Sequence, residues 1–240
     1  MAYGYSKGSG RYTNLETGRY VPRDIIFGEL NGDVQQFRAT AERLAQDLAD
    51  GKITNTTFSR KLREALKPVI TRSAALGAGG MIQLEGKQLS QLGNGARKAY
   101  SSLKYLTDQI RRGELTPGQI TERARRLGNH AYGAFHRAEQ ISRVEGGFTL
   151  GWRQLSVSSN HCKDCPALET NGYVPVDEIT PIGDSCVCQG RCQCSIVYKK
   201  ATAAEIEKFS FGSGAFLDRV VEHQKDQMRS EEGYRRLEPV

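Results

Sequence analysis

Apolar residues recur at helical spacing along the first part of the chain and then lose that rhythm. Val34, Phe37, Ala41, Leu44 and Leu48 follow at steps of 3, 4, 3 and 4, one stripe of an amphipathic helix. Asp33 is placed to cap it and Gly51 to stop it, which predicts a helix over 33–50. Phe58, Leu62, Leu66, Val69 and Ile70 form the buried side of a second helix that opens near Thr54, carries a kink at Pro68 and ends in the glycines of 77–80. Leu92, Ala96, Tyr100, Leu103, Leu106 and Ile110 predict a third helix over 89–112. Thr116, Pro117 and Gln119 then read as cap, first helical residue and reciprocal partner of a capping box. The helix they open is expected to run unbroken through Ile120, Ala124, Leu127, Ala131, Ala134, Ala138 and Ile141 to Gly146, with small residues that let another helix approach closely.

Both ends of the chain read differently. Residues 1–30 alternate Tyr3, Tyr5, Tyr12 and Tyr20 with glycine and with Arg11, Arg19 and Arg23. They are expected to be an extended arm that orders on a partner. After Gly147 the 3.6-residue period fades, so Phe148 to Leu155 suit a continued helix or a strand, and short strands are expected near Tyr173 and near Cys194 to Tyr198. Thr202 and Glu205 form another capping box, and Phe216, Leu217, Val220 and Val221 mark a helix over 215–228. The fold class expected is mainly α: helical hairpins, then a small zinc-stapled loop/β unit, then C-terminal helices. Its parts are an arm (1–30), a helical domain (31–146), a cysteine-rich unit (147–200) and C-terminal helices with a tail (201–240).

The chemistry gathers in the cysteine-rich unit. All six cysteines, 162, 165, 186, 188, 192 and 194, lie within 33 of the 240 residues. Cys162 and Cys165 have the spacing of a tight turn that faces both sulfurs to one point, and a second group follows about twenty residues on. The segment is rich in glycine and proline and poor in large apolar residues, so it needs a staple. A structural zinc ion supplies about 10–16 kcal/mol of apparent binding energy to such a unit. The expected ligands come from Cys162, Cys165, Cys188, Cys192 and Cys194, with Cys186 and His161 in reserve; residues i and i+2 of a strand share a face, which lets Cys192 and Cys194 both point at the metal. Disulfides are the competing reading, suited to an oxidising compartment.

Charge and the remaining motifs narrow the function. The net charge of +7 suits an acidic partner or nucleic acid. No apolar run is long enough to span a membrane, and the first residues lack the apolar core of a signal peptide, so assembly in the cytoplasm is expected. His130 and His136 are six apart, off the i, i+4 spacing of a helical metal pair; His223 stands alone; no HExxH, phosphate loop or Ser-His-Asp context is visible. A non-enzymatic protein with no catalytic residues is therefore expected.

The run Arg153, Leu155, Cys162, Cys165, Leu168, Gly172, Tyr173, Pro175, Pro181, Gly183, Cys188, Cys192 and Cys194 resembles the C-terminal signature of tailed-phage head-morphogenesis proteins, the Mu F-like minor head type. That signature sets a CxxC before a Gly-aromatic turn, a proline-rich link and a terminal CRC. The helices around Tyr100, Leu103, Gly113 and Thr116 resemble those upstream of it, and the stretch from Arg11 to Val21 is similar to arms of phage structural proteins. Two departures stand out. Cys186 and Cys188 occupy the place of a frequent His-Pro, and Gln193 replaces the central arginine, with Arg191 displaced by two. The resemblance implies a structural minor head protein present in several copies within an assembly. It would act in capsid assembly beside the portal or major capsid protein, with packaged DNA as a further partner, and would reside in the virion head. The alternative is a nucleic-acid-binding zinc protein that uses Lys163, Arg191, Lys199 and Lys200 with Arg123, Arg125 and Arg126.

Overall fold

The structure, a computed structural model, describes residues 3–84, 86–155, 164–180, 182 and 194–205. The expected arm is not extended. Strands β1 (Tyr3–Ser6), β2 (Arg11–Asn14) and β3 (Tyr20–Val21) form an antiparallel sheet in that order, with Tyr5 opposite Tyr12 and Tyr12 opposite Val21. Tyr5, Tyr12 and Val21 turn inward and share a buried cluster with Ile26, Leu30, Val34, Leu76, Ala131 and Phe135. The tyrosines thus order on this chain's own helices rather than waiting for a partner.

Helix α1 (Arg23–Ala49) begins ten residues earlier than the spacing from Asp33 suggested. Its buried stripe continues upstream through Leu30 and Ile26, while Gly28, Asn31 and Gly32 lie on the exposed side, where breakers cost little packing. Asp33 is no cap; its carboxylate meets Arg72 Nε at 3.0 Å. Helix α2 (Asn55–Ala78) has the expected start and most of the expected buried stripe: Thr54 accepts from Thr57 N, Phe58, Leu62, Leu66 and Ile70 are buried, and Val69 is half-buried. Gly79 ends it with φ of 94°, and a side chain there would strike Tyr5 Cβ of β1.

After a 3-10 turn (Met81–Gln83), α3 (Gly86–Arg111) buries Ala99, Leu103 and Leu106. The capping box of Thr116 and Gln119 forms, with Pro117 in the first turn of α4 (Pro117–Arg126). The fourth expected helix is broken, however. A 3-10 turn (Leu127–Asn129) separates α4 from α5 (His130–Glu145). Gly128 lies there against α1, where a Cβ would stand 2.9 Å from the Phe37 ring. Helix α2 is central, packed on α1, α3 and α5, while α4 lies on α1. Residues of α1 to α5 share one hydrophobic core.

A second antiparallel sheet has the order β5-β4-β6, from β4 (Leu150–Gln154), β5 (Tyr173–Pro175) and β6 (Ser195–Lys199). The stretch from Phe148 to Leu155 therefore resolves as strand. A short helix not foreseen in the sequence, α6 (Asp164–Thr170), lies between β4 and β5. Thr202 and Glu205 exchange the bonds of the second capping box, Glu205 N to Thr202 Oγ1 at 3.4 Å and Thr202 N to Glu205 Oε2 at 3.0 Å. The helix expected over 215–228 and the tail after it lie outside the described residues. Among the described residues the chain is mainly helical with two small sheets, and no helix there is long and apolar enough to cross a membrane.

Helices α2 and α5 pack closely along their length. A Cβ on Gly77 would lie 2.1 Å from the carbonyl oxygen of Phe135 and 2.9 Å from its carbon, backbone atoms that cannot swing aside. Gly77→Ala is expected to destabilise the chain by about 1–3 kcal/mol, the usual range for overpacking. A lower urea midpoint with unchanged far-UV circular dichroism checks this.

Candidate functional site

The cysteine unit is built around β4. Trp152 Nε1 donates to Glu169 O at 2.9 Å, and the Glu169 carboxylate accepts from Leu155 N at 3.0 Å, which pins α6 to the end of that strand. Cys165 is the second residue of α6, and Cys194 immediately precedes β6, whose Ser195 pairs with Gln154 of β4. Both thiols therefore arrive at the same end of the sheet. They are buried together, 1% and 7% exposed, in one cluster with Ile179, Ile182 and Ile196. One sulfur comes from each of the two cysteine groups read in the sequence.

Cys162, Cys188 and Cys192, together with the reserves Cys186 and His161, lie outside the described residues. Among the described residues no group of three or more His, Cys, Asp or Glu gathers as if to hold a metal ion. Cys165 and Cys194 are buried thiols, a donor type that suits zinc.

Beside this unit is a buried polar joint that sequence reading missed. Glu139 of α5 is fully buried. Arg23, the first residue of α1, grips its carboxylate with two bonds, Nε to Oε1 at 2.9 Å and Nη2 to Oε2 at 2.8 Å. His136 Nδ1 lies 3.6 Å from Oε2, and Arg143 Nη2 lies 3.5 Å from Oε1. Arg143 then reaches the first sheet by donating to Gly10 O at 2.7 Å, and it sits over the rings of Tyr5, Phe148 and Tyr198. One side chain thus touches β1, the loop before β2, the entry to β4 and β6. Arg153 of β4, also buried, donates to Thr180 O at 3.2 Å.

Burial alone would push the Glu139 carboxyl up, but the Arg23 charge and its two hydrogen bonds, with the His136 ring close by, hold it well below the ordinary range. Burial pushes His136 down, against the pull of Glu139, so the ring stays neutral. Burial likewise drives the hydroxyls of Tyr5, Tyr12 and Tyr198 upward, so they keep their protons. His136 and Glu139 are at most 1% exposed; an acid–base pair sealed this way acts as a joint, not as a site for exchange with an outside substrate. A signal existed in the sequence: Glu139 and His136 share the inner faces of a helix whose other buried positions include Ala131, Phe135 and Ser142.

The other residues singled out earlier are dispersed. His130 Nε2 meets Ser102 Oγ at 3.2 Å. Arg123 donates to Gln109, Arg126 pairs with Glu122 at 2.9 Å and Arg125 approaches Glu42 at 4.0 Å. Lys199 pairs with Glu205 and lies over the Tyr173 ring, and Lys200 lies over Phe148. Lys163, Arg191 and His223 fall outside the described residues.

The joint makes stability depend on pH with a definite sign. Both groups bind protons less readily in the folded chain than in the unfolded one. Stability is therefore full above the unfolded value of 6.5 for His136 and falls as pH drops below it, then falls again below 4.5 as Glu139 is engaged. Thermal melts across this range are expected to show both limbs, and His136→Gln to remove the first. Glu139→Gln is expected to cost about 3 kcal/mol at neutral pH in urea unfolding, the lower end for breaking a buried pair because Arg23 is partly exposed.

Comparison with protein-family models, with curated proteins and with solved structures finds no match to this chain.

Proposed function

We propose that this chain is a structural, non-enzymatic minor head protein of a tailed phage or prophage, acting in capsid assembly at or near the portal. The observation that carries the reading is the convergence of Cys165 and Cys194 in one buried cluster at the end of β4. One thiol of the CxxC and one of the terminal cysteine pair, the most specific parts of the resemblance, thus share one buried cluster. In this reading zinc is held by Cys165 and Cys194 with partners from Cys162, Cys188 and Cys192, and its role is to fix a loop-rich contact surface. The helical body and the sheet clamped to it by Arg143 form a rigid support for that surface. The partners are the portal or major capsid protein, with the chain present in several copies in the virion head.

Two measurements test this. Elemental mass spectrometry of the purified chain is expected to find about one zinc per chain, with thiols becoming reactive on chelation and Cys165→Ser losing the metal. Co-purification with portal and capsid proteins, together with mass spectrometry of particles, is expected to find the chain associated. A chain absent from particles and from both pull-downs overturns the assembly reading whatever its metal content.

A further inference from the structure

Charge is not spread evenly over the helical body. Helices α2 and α3 each carry five basic residues and one acidic residue, whereas α1 carries three basic and five acidic. The excess on α2 and α3 is arranged in stripes. Arg60, Arg63 and Lys67 follow at steps of 3 and 4 on α2, and Arg97, Lys104 and Arg111 at steps of 7 on α3. All six are exposed, on the sides opposite Leu62 and Leu66 of α2 and Ala99, Leu103 and Leu106 of α3.

Two contacts bring the stripes to one face. The Arg63 guanidinium lies 4.4 Å over the Tyr100 ring, and Asn55 Nδ2 donates to Thr107 O at 2.9 Å. These fix an antiparallel register that sets Arg60 near the level of Lys104 and Lys67 near that of Arg97. At 1.5 Å per residue the stripe from Arg97 to Arg111 is about 21 Å long. Two carboxylates, Glu64 and Asp108, accompany the six cations. Glu64 pairs with Arg60 at 2.8 Å, and Asp108 pairs with Lys104 at 2.8 Å and Arg111 at 3.2 Å. Exposed pairs of this kind are weak, so they yield readily to a stronger anion.

The face discriminates between partners. Between the two stripes Glu64 and Ser101 are exposed and Asp108 is half-buried, while the exposed Tyr105 lies about 140° round α3 from Tyr100, on the flank turned away from α2. The ring in the seam itself, Tyr100, is covered by Arg63, so the seam offers no stacking platform for unpaired bases. What remains is a rigid row of cations matched to a row of anions. We infer that the α2–α3 seam docks the phosphate backbone of duplex DNA without reading its sequence. This surface is distinct from the basic residues of α4 and β6 first considered, most of which are engaged within the fold. The inference stands apart from the assembly reading, so either can fail alone.

The test is fluorescence anisotropy of the full chain with short DNA duplexes of two unrelated sequences and with a single strand, across salt. Both duplexes are expected to bind alike, with a slope of log affinity on log salt of about −4 to −5 for five or so phosphates engaged. Arg60→Glu with Lys104→Glu is expected to weaken binding at least tenfold and to flatten the slope. Arg125→Glu with Arg126→Glu on α4, an equal change in net charge, is expected to do much less. If the first pair perturbs the circular dichroism, Arg60→Gln with Lys104→Gln reports instead, with a smaller loss in the same direction. Absence of duplex binding at low salt, a flat salt response, equal losses in the two charge-reversed proteins, or a single strand binding more tightly than the duplex overturns the proposal.

Discussion

A carboxylate with no exposure to water is tenable only where cations and donors replace its hydration, and Glu139 meets that condition through Arg23. The bidentate grip ties the first residue of α1 to the middle of α5. Arg143, one turn further along α5, carries the same charge network outward to Gly10 and to the rings around it. The N-terminal sheet, the helical body and the second sheet therefore meet at one point. Geometry there is set by charge and hydrogen-bond direction, where apolar packing alone would allow sliding.

Much of the helical body was legible in the sequence because its signals are local. The stripe of Phe58, Leu62, Leu66 and Ile70, the cap at Thr54 and the box at Thr116 act within a few residues of themselves, and the structure keeps each of them. What escaped depends on distant partners. Gly28 and Gly32 look like breakers until α1 is seen to turn them to solvent. The break at Gly128 follows from the close approach of Phe37 of α1, which no local pattern announces. Tyr3 and Tyr5 alternate with Gly4 and Ser6 at strand spacing, yet so short a run becomes a strand only when β2 and the end of α2 cover it.

The site was partly legible for the same reason. Clustering of cysteines is a sequence property, and the meeting of Cys165 with Cys194 follows its logic. The polar joint was harder to see, since Arg23, Glu139 and Gly10 are far apart along the chain. The basic face was harder still. Its cations are individually ordinary, and only the register between α2 and α3 makes them one surface.

The separation of those partners has a consequence for the order of events during synthesis. Arg23 and Glu139 are 116 residues apart, and Arg143 and the Gly10 carbonyl are 133 apart. The first strands leave the ribosome long before α5 exists to receive them, while α2 can begin to pack on α1 at once. Contacts of such long range close slowly and late. The N-terminal sheet is thus made before the helices that secure it, so a nascent chain must carry exposed tyrosines and an unpaired Arg23 until α5 arrives.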